Sequence, residues 1–175
     1  IEGNQKILFL RKTLTSAYLS IIPEFQEKIQ LLKLEHVFEI TKTEIINKRN
    51  GNVIYFRSIQ TGSKDNTAKL KSLQGINTLV IDEAEELTEE EIFDRIDLSV
   101  RQKGVQNRVI VIMNPAKKLH FVYKRFFAPD NIPDGFNGVI GNVNYIHTTY
   151  EDNLENLDQG FIDQIERLKA NNTKK

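Results

Sequence analysis

Three short apolar runs punctuate the chain, each suited to a buried strand: KILFLR from Lys6, TLVID from Thr78 and RVIVIMN from Arg108. Between them the spacing of apolar residues changes from continuous to helical. Leu19, Ile22, Phe25, Ile29 and Leu32 recur every three or four positions and predict a helix over about Thr15 to Leu34, with Pro23 set to kink it or begin a second one. HVFEIT and EIINKRNGNVIYFRSI carry β-rich runs, and Asn50-Gly51 between two of them favours the positive φ of a tight hairpin. The polar stretch TGSKDNTAKLKSLQG reads as a loop with one helical turn. Thr88 to Glu91 has the form of a capping box and predicts a helix reaching about Gln102. KLHFVYKRFF predicts a short helix, NVNYIHTT a further strand, and Asp158 to Ala170 an amphipathic helix through Phe161, Ile165 and Leu168. Strands that alternate with helices predict the α/β class, a mostly parallel sheet flanked by helices with a small antiparallel hairpin excursion. The 175 residues are the size of one domain.

Composition narrows the chemistry. With no cysteine, disulfides and thiolate zinc sites are excluded, and His36, His120 and His147 are too scattered to suggest a metal cluster. Basic and acidic residues balance at 24 each, so no global positive field drives nucleic-acid binding, and any DNA contact has to be local or lie elsewhere in a larger assembly. No apolar run approaches the ~20 residues that cross a bilayer, and nothing resembles a secretion signal, so no membrane partner is expected and a cytosolic setting is the default.

The second apolar run ends on two adjacent carboxylates, Asp82 and Glu83, with Glu85 and Glu86 behind them. In a parallel sheet, ligands collect at the carboxyl ends of strands. One carboxylate there can hold Mg²⁺ on a triphosphate, a hard ion satisfied by oxygen ligands, while the next activates the attacking water. That pairing is the Walker B arrangement. The alternative is that four acids merely solvate a strand exit and favour the positive end of the following helix, which describes Glu85 and Glu86.

Three stretches extend the pattern: KLKSLQGINTLVIDEAEEL, MNPAKKLHFVYKRFF and TTYEDN. In this order and spacing they resemble the ATPase domain of the large terminase subunit of tailed bacteriophages, the motor that drives DNA into the capsid. FLRKT, near the start, resembles the segment after that family's second core strand. The resemblance implies a P-loop NTPase fold of the ASCE type, with Asp82 as the Mg²⁺-associated aspartate, Glu83 as the catalytic glutamate and Asn114 in the coupling motif that senses the γ-phosphate. A plain strand-ending turn is the other reading of Asn114-Pro115. Many relatives carry, upstream of the Walker B strand, an arginine that reaches a neighbouring subunit; this chain has Lys69 and Lys71 there, which lack the planar fork that holds several phosphate oxygens. Arg101, on the predicted helix after Glu91, is the alternative trans-acting cation. Phe121, Val122 and Phe126 fall on helical spacing and read as core, with Lys124 and Arg125 on the wet face and His120 as a structural residue.

A glycine-rich phosphate loop ending in Lys-Ser/Thr is not found: Thr61-Gly-Ser-Lys64 is followed by Asp65 and lacks the glycine-lysine adjacency. Residues 1–175 are therefore expected to be a single, partial ATPase domain that starts after that loop and ends before the nuclease domain. The resemblance implies ATP and Mg²⁺ as cofactors, double-stranded viral DNA, the small terminase subunit and the portal protein as partners, a homo-oligomeric ring, and the host cell cytoplasm. Two rivals stand beside it. A helicase-like ATPase would carry Asp or His at Glu85 and Ser-Ala-Thr where Met113-Asn114-Pro115 stand; a non-catalytic scaffold would have kept the fold and lost the nucleotide site.

Overall fold

A computed structural model describes residues 5–59, 74–115 and 117–172. The chain divides into two compact units, Ile1–Arg125 and Phe126–Lys175. The first is built on a six-stranded sheet of β1 (Lys6–Arg11), β2 (Phe38–Ile40), β3 (Glu44–Asn47), β4 (Val53–Ser58), β5 (Thr78–Ile81) and β6 (Arg108–Val111). Their spatial order is β2-β3-β4-β1-β5-β6. The pairs β4/β1, β1/β5 and β5/β6 are parallel, whereas β2/β3 and β3/β4 are antiparallel. The mostly parallel sheet and its antiparallel excursion are those the periodicity predicts. Gly51 alone of the Asn50-Gly51 pair takes the positive φ, 72°, in the β3-β4 turn.

Between β1 and β2 the chain is helical: α1 (Leu14–Ser16), a π-turn over Ala17–Ile21, and α2 (Ile22–Leu31). The break is explained by Pro23. Proline has no N–H to give the carbonyl four residues back, and the helix widens by one residue just before it, with the Ile22 amide bonding to the Ala17 carbonyl. α2 buries Ile22 and Ile29 against Ala17, Ile45 and Phe56, with Phe9, Phe25 and Ile54 packed round them. Phe56 is fully buried, and the Phe9 and Phe25 rings lie 5.6 and 6.0 Å from it. Leu8 and Leu10, one residue out of phase with Phe9, are also fully buried, so β1 is covered on both faces as a central parallel strand requires. At the amino ends of β1 and β5, fully buried Asn77 exchanges bonds with the Lys6 backbone and donates from its side-chain amide to Gln5 Oε1 at 2.9 Å.

Several expectations are corrected. α3 spans Glu90–Asp97, not Thr88 to Gln102, and neither Thr88 nor Glu89 makes a side-chain cap bond. The helix is entered one residue later, at N-cap Glu89 after buried Leu87, and the Glu91 carboxylate pairs forward with Arg95 at 3.2 Å instead of reaching back. β6 is not a buried strand. Among the described residues it lies at the end of the sheet, with Val109, Ile110 and Ile112 all exposed. The helix predicted over KLHFVYKRFF is largely a π-turn, Tyr123–Phe127. Phe121 and Val122 are buried, Phe126 is half-buried, and Lys124 and Arg125 are exposed, as helical spacing requires. Phe121 meets Phe93 of α3 at 5.5 Å.

In the second unit, the strand predicted over NVNYIHTT is present as β8 (Val143–Tyr145), shorter than the run, and it pairs antiparallel with β7 (Gly138–Ile140), which the periodicity does not mark, in a two-stranded sheet. Gly141, with φ of 60°, allows the tight turn between them. Tyr145 is the local core, set edge-on against Phe127 and Phe136, and its hydroxyl donates to the Phe126 carbonyl. Thr149 opens a 3₁₀ segment, Tyr150–Asn156, with a capping box closed by Asp152. α4 (Gln159–Asn172) follows, and Tyr150 donates to Glu166 at 2.6 Å while Lys169 donates to the Tyr150 hydroxyl at 2.6 Å. The Tyr150 bond first, and then the Lys169 ammonium, hold the Glu166 carboxyl below the usual carboxylate range.

Phe56→Ala is expected to lower the unfolding free energy by about 3–5 kcal/mol in urea titration, because the aromatic cluster beneath α2 cannot close over the void. A loss under about 1 kcal/mol would show that Phe56 is not the centre of that core.

Candidate active site

The register brings three strand exits level. Leu10 pairs with Ile81 and Ile81 with Val111, so one step further along the row stand Arg11, Asp82 and Ile112. The backbone pairing persists there: the Asp82 amide donates to the Leu10 carbonyl at 3.0 Å and the Ile112 amide to the Ile81 carbonyl at 2.9 Å. At Glu83 the chain turns through a left-handed conformation, φ 52° and ψ 46°. For a residue with a Cβ this costs roughly 1–2 kcal/mol, and such strain persists where surrounding bonds over-determine it. Here the Ala84 amide, donating to the Ile112 carbonyl at 2.9 Å, supplies the other anchor.

Two adjacent carboxylates at one strand tip repel each other unless a cation stands between them. Arg11 does. Its Nη2 donates to Glu83 Oε1, and its Nε lies 3.2 Å from Asp82 Oδ2 as a charge contact off the hydrogen-bonding direction. The Arg11 and Asp82 side chains retain only 12% and 16% of their exposure, against 38% for Glu83. The guanidinium is steered from behind as well. Nη1 donates to the Ser16 carbonyl and to Ser20 Oγ, on the π-turn that Pro23 enforces. Thr13 caps α1 by accepting from the Ser16 amide at 3.1 Å, which fixes the start of that segment. A planar fork meets four oxygens in this way; a lysine could not.

Glu83 faces a small open cleft at the carboxyl ends of β1, β4 and β5, lined also by Lys12, Ile59, Thr88 and Ile92. Lys12 reaches Glu86 at 3.6 Å across a solvated surface. The cleft occupies the position where parallel sheets bind ligands. Among the described residues no group of three or more metal-binding side chains converges.

Asn114 lies just past β6, as its place in the sequence requires, but its partner is not Asp82 or Glu83. Both its nitrogens are held by one carboxylate: Nδ2 donates to Glu85 Oε1 at 2.8 Å and the backbone amide to Glu85 Oε2 at 3.2 Å. Glu85 is therefore a structural link and not the solvating acid that its position in an acidic run suggests. Arg101 is exposed and lies beyond α3, not on a helix. Lys69 and Lys71, and with them Thr61 to Lys64 and the predicted helical turn, lie outside the described residues. His120 accepts from the Val122 amide at 3.3 Å through Nδ1 and lies against the Phe121 ring, a structural role. Arg11 and Glu85 are the site residues that pattern reading missed. The signal for Arg11 was available, since an apolar run that closes on arginine beside one that closes on Asp-Glu offers complementary charge at neighbouring tips.

The family model described as phage terminase large subunit matches residues 1–175. A curated relative, the PBSX phage terminase large subunit of Bacillus subtilis (strain 168), is 27% identical over 180 residues, covering 97% of this chain and 40% of that protein. The large terminase of a thermophilic bacteriophage superposes with a TM-score of 0.70 at 15% identity over 95% of this chain and 38% of the other. The same terminase in complex with ADP superposes with a TM-score of 0.66 at 16% identity over the same shares. These likenesses extend to the fold, whose mostly parallel sheet carries the strand order given above. The chain spans about two fifths of the relatives it matches.

Arg11→Ala is expected to cost about 1–3 kcal/mol of stability in urea titration, since it strips the cation from two facing carboxylates, and Arg11→Lys to recover less than half of that. An Arg11→Ala protein as stable as the parent would show that the guanidinium does not anchor the turn. From the strand exits and the full-length family match together, this chain belongs to the phage terminase large subunit family.

Proposed function

We propose that this chain is the ATPase motor portion of a terminase large subunit and that it couples ATP hydrolysis to movement of double-stranded viral DNA into a capsid. The observation that carries the reading is the Asp82-Glu83 turn, held by Arg11 at the carboxyl ends of parallel strands beside an open cleft. In this reading Asp82 orients Mg²⁺, directly or through water, and Glu83 accepts a proton from the attacking water. Mg²⁺ would supply charge neutralisation on the phosphate oxygens. Arg11 keeps the Glu83 carboxylate aimed along the cleft edge and separates it from Asp82, so that each acid serves one task. Asn114, fixed beside the same turn, is the residue through which a change at the γ-phosphate would reach the DNA-gripping parts.

A hydrolysis site of this design also needs backbone amides and a lysine to cradle the phosphates, and the 175 residues contain no such glycine-rich motif. We assign that role to another segment of a longer protein, and β6 offers it an open strand edge whose flanking side chains Val109, Ile110 and Ile112 are apolar and exposed among the described residues. The relatives named above support the nucleotide, since the thermophilic phage's terminase binds ADP. A ring of copies, the portal and the small subunit are the partners that this reading proposes. Lys69, Lys71 and Arg101 remain the candidates for a cation offered to a neighbouring copy.

The test uses a protein that carries this chain together with its family's phosphate-binding segment. DNA-stimulated ATP hydrolysis is expected, and Glu83→Gln should reduce it by a factor of about 10² or more, because the amide cannot take the proton. Equal rates in both proteins would remove Glu83 from the mechanism, and no hydrolysis in either would favour a non-catalytic scaffold.

A further inference from the structure

Glu83 is flanked by bonds to the exits of both neighbouring strands, the β6 exit being held on both sides of it through Ile112, which donates to the Ile81 carbonyl and accepts from the Ala84 amide. Before it, Asp82 is bonded through its amide to Leu10 of β1. After it, Ala84 and Glu85 are bonded to the exit of β6: the Ala84 amide to the Ile112 carbonyl, and the Glu85 carboxylate to both nitrogens of Asn114. The left-handed residue lies among these ties, so a displacement of the β6 exit acts on the backbone of the turn that carries it.

We propose that Glu85 is the positioning residue that links Asn114 to the catalytic turn, so that displacement of the β6 exit reorients Glu83 and a change at Glu83 is returned to β6. The inference rests on the ATPase reading above and adds to it the physical connection between the hydrolysis residue and the coupling residue. The geometry is specific. A single carboxylate, one oxygen for the side-chain amide and the other for the main-chain amide, fixes both the rotamer of Asn114 and the direction of the chain leaving β6. An acid that only solvated the strand exit would leave both of those free to vary. Each bond is charge-assisted yet solvent-accessible, strong enough to hold one arrangement and weak enough to exchange during a catalytic cycle.

The test takes the same ATPase-competent protein and compares Glu85→Ala, Asn114→Ala, the double variant and Glu85→Gln, with kcat and KM for ATP measured in the presence and absence of DNA. Each single alanine variant is expected to lose DNA-stimulated kcat by about tenfold with KM for ATP changed by less than about twofold, and the double variant to fall no lower than the worse single one. Glu85→Gln, which retains one acceptor oxygen and turns a donor toward Asn114, should lie between parent and alanine. Melting temperatures of all four variants check that the turn still folds. Parent-like stimulation in Glu85→Ala, or losses that multiply to about a hundredfold in the double variant, would overturn the link. If Glu83→Gln abolishes hydrolysis while Glu85→Ala behaves as the parent, the link alone fails. Hydrolysis that survives Glu83→Gln sinks the ATPase reading and the link with it.

Discussion

The guanidinium of Arg11 is the constraint on which the site depends. Without a cation at that point, Asp82 and Glu83 would push apart and the left-handed turn at Glu83 would be held by the Ala84–Ile112 bond alone. With it, two acids, two serines of a helical segment and the ends of two adjacent strands are joined through one planar group. The arginine can do this only because β1 lies between β4 and β5 and ends in step with β5. Parallel pairing is therefore what converts a charge pattern into a site.

The same row of strand exits continues to β6, where a second charge-assisted contact, Glu85 to Asn114, repeats the device on the other side of the turn. Arg11 holds the acids from β1; Glu85 holds the neighbouring exit from β5. Glu83 lies between the two ties, in the conformation least comfortable for a residue with a side chain and with the greatest exposure of the charged trio. Strain concentrated at one residue that also borders an open cleft is the expected signature of a functional position. The proposed role of Glu83 in hydrolysis rests on that geometry together with membership of the terminase large subunit family.

Proline at 23 has a role in the site although it lies far from the acids in sequence. By forcing a π-turn over Ala17–Ile21, it sets the pitch at which Ser16 and Ser20 meet the back of Arg11. Helical widening is common where a side chain must be aimed and not merely buried. In the second unit no comparable aiming is seen among the described residues, and its ordered contacts, the Tyr145 cluster and the Tyr150, Glu166, Lys169 triad, serve packing and attachment.

The amino-acid sequence by itself determined the element types of the first unit, because apolar periodicity of two or near four is dictated by burial on a sheet or a helix. It located Asp82 and Glu83 at a strand exit and Asn114 at another, since residues that end apolar runs in a parallel sheet gather on one edge. It misjudged the Thr88 cap and the burial of β6, and it left β7, the partner of the strand it marked as β8, unmarked. Only the tertiary structure revealed that Arg11, 72 positions before Glu83, and Glu85, in the middle of an acidic run, hold the site together. Their roles depend on which strands lie side by side and in what register; the charge at the end of β1 was legible in the sequence, but its placement beside the tip of β5 was not.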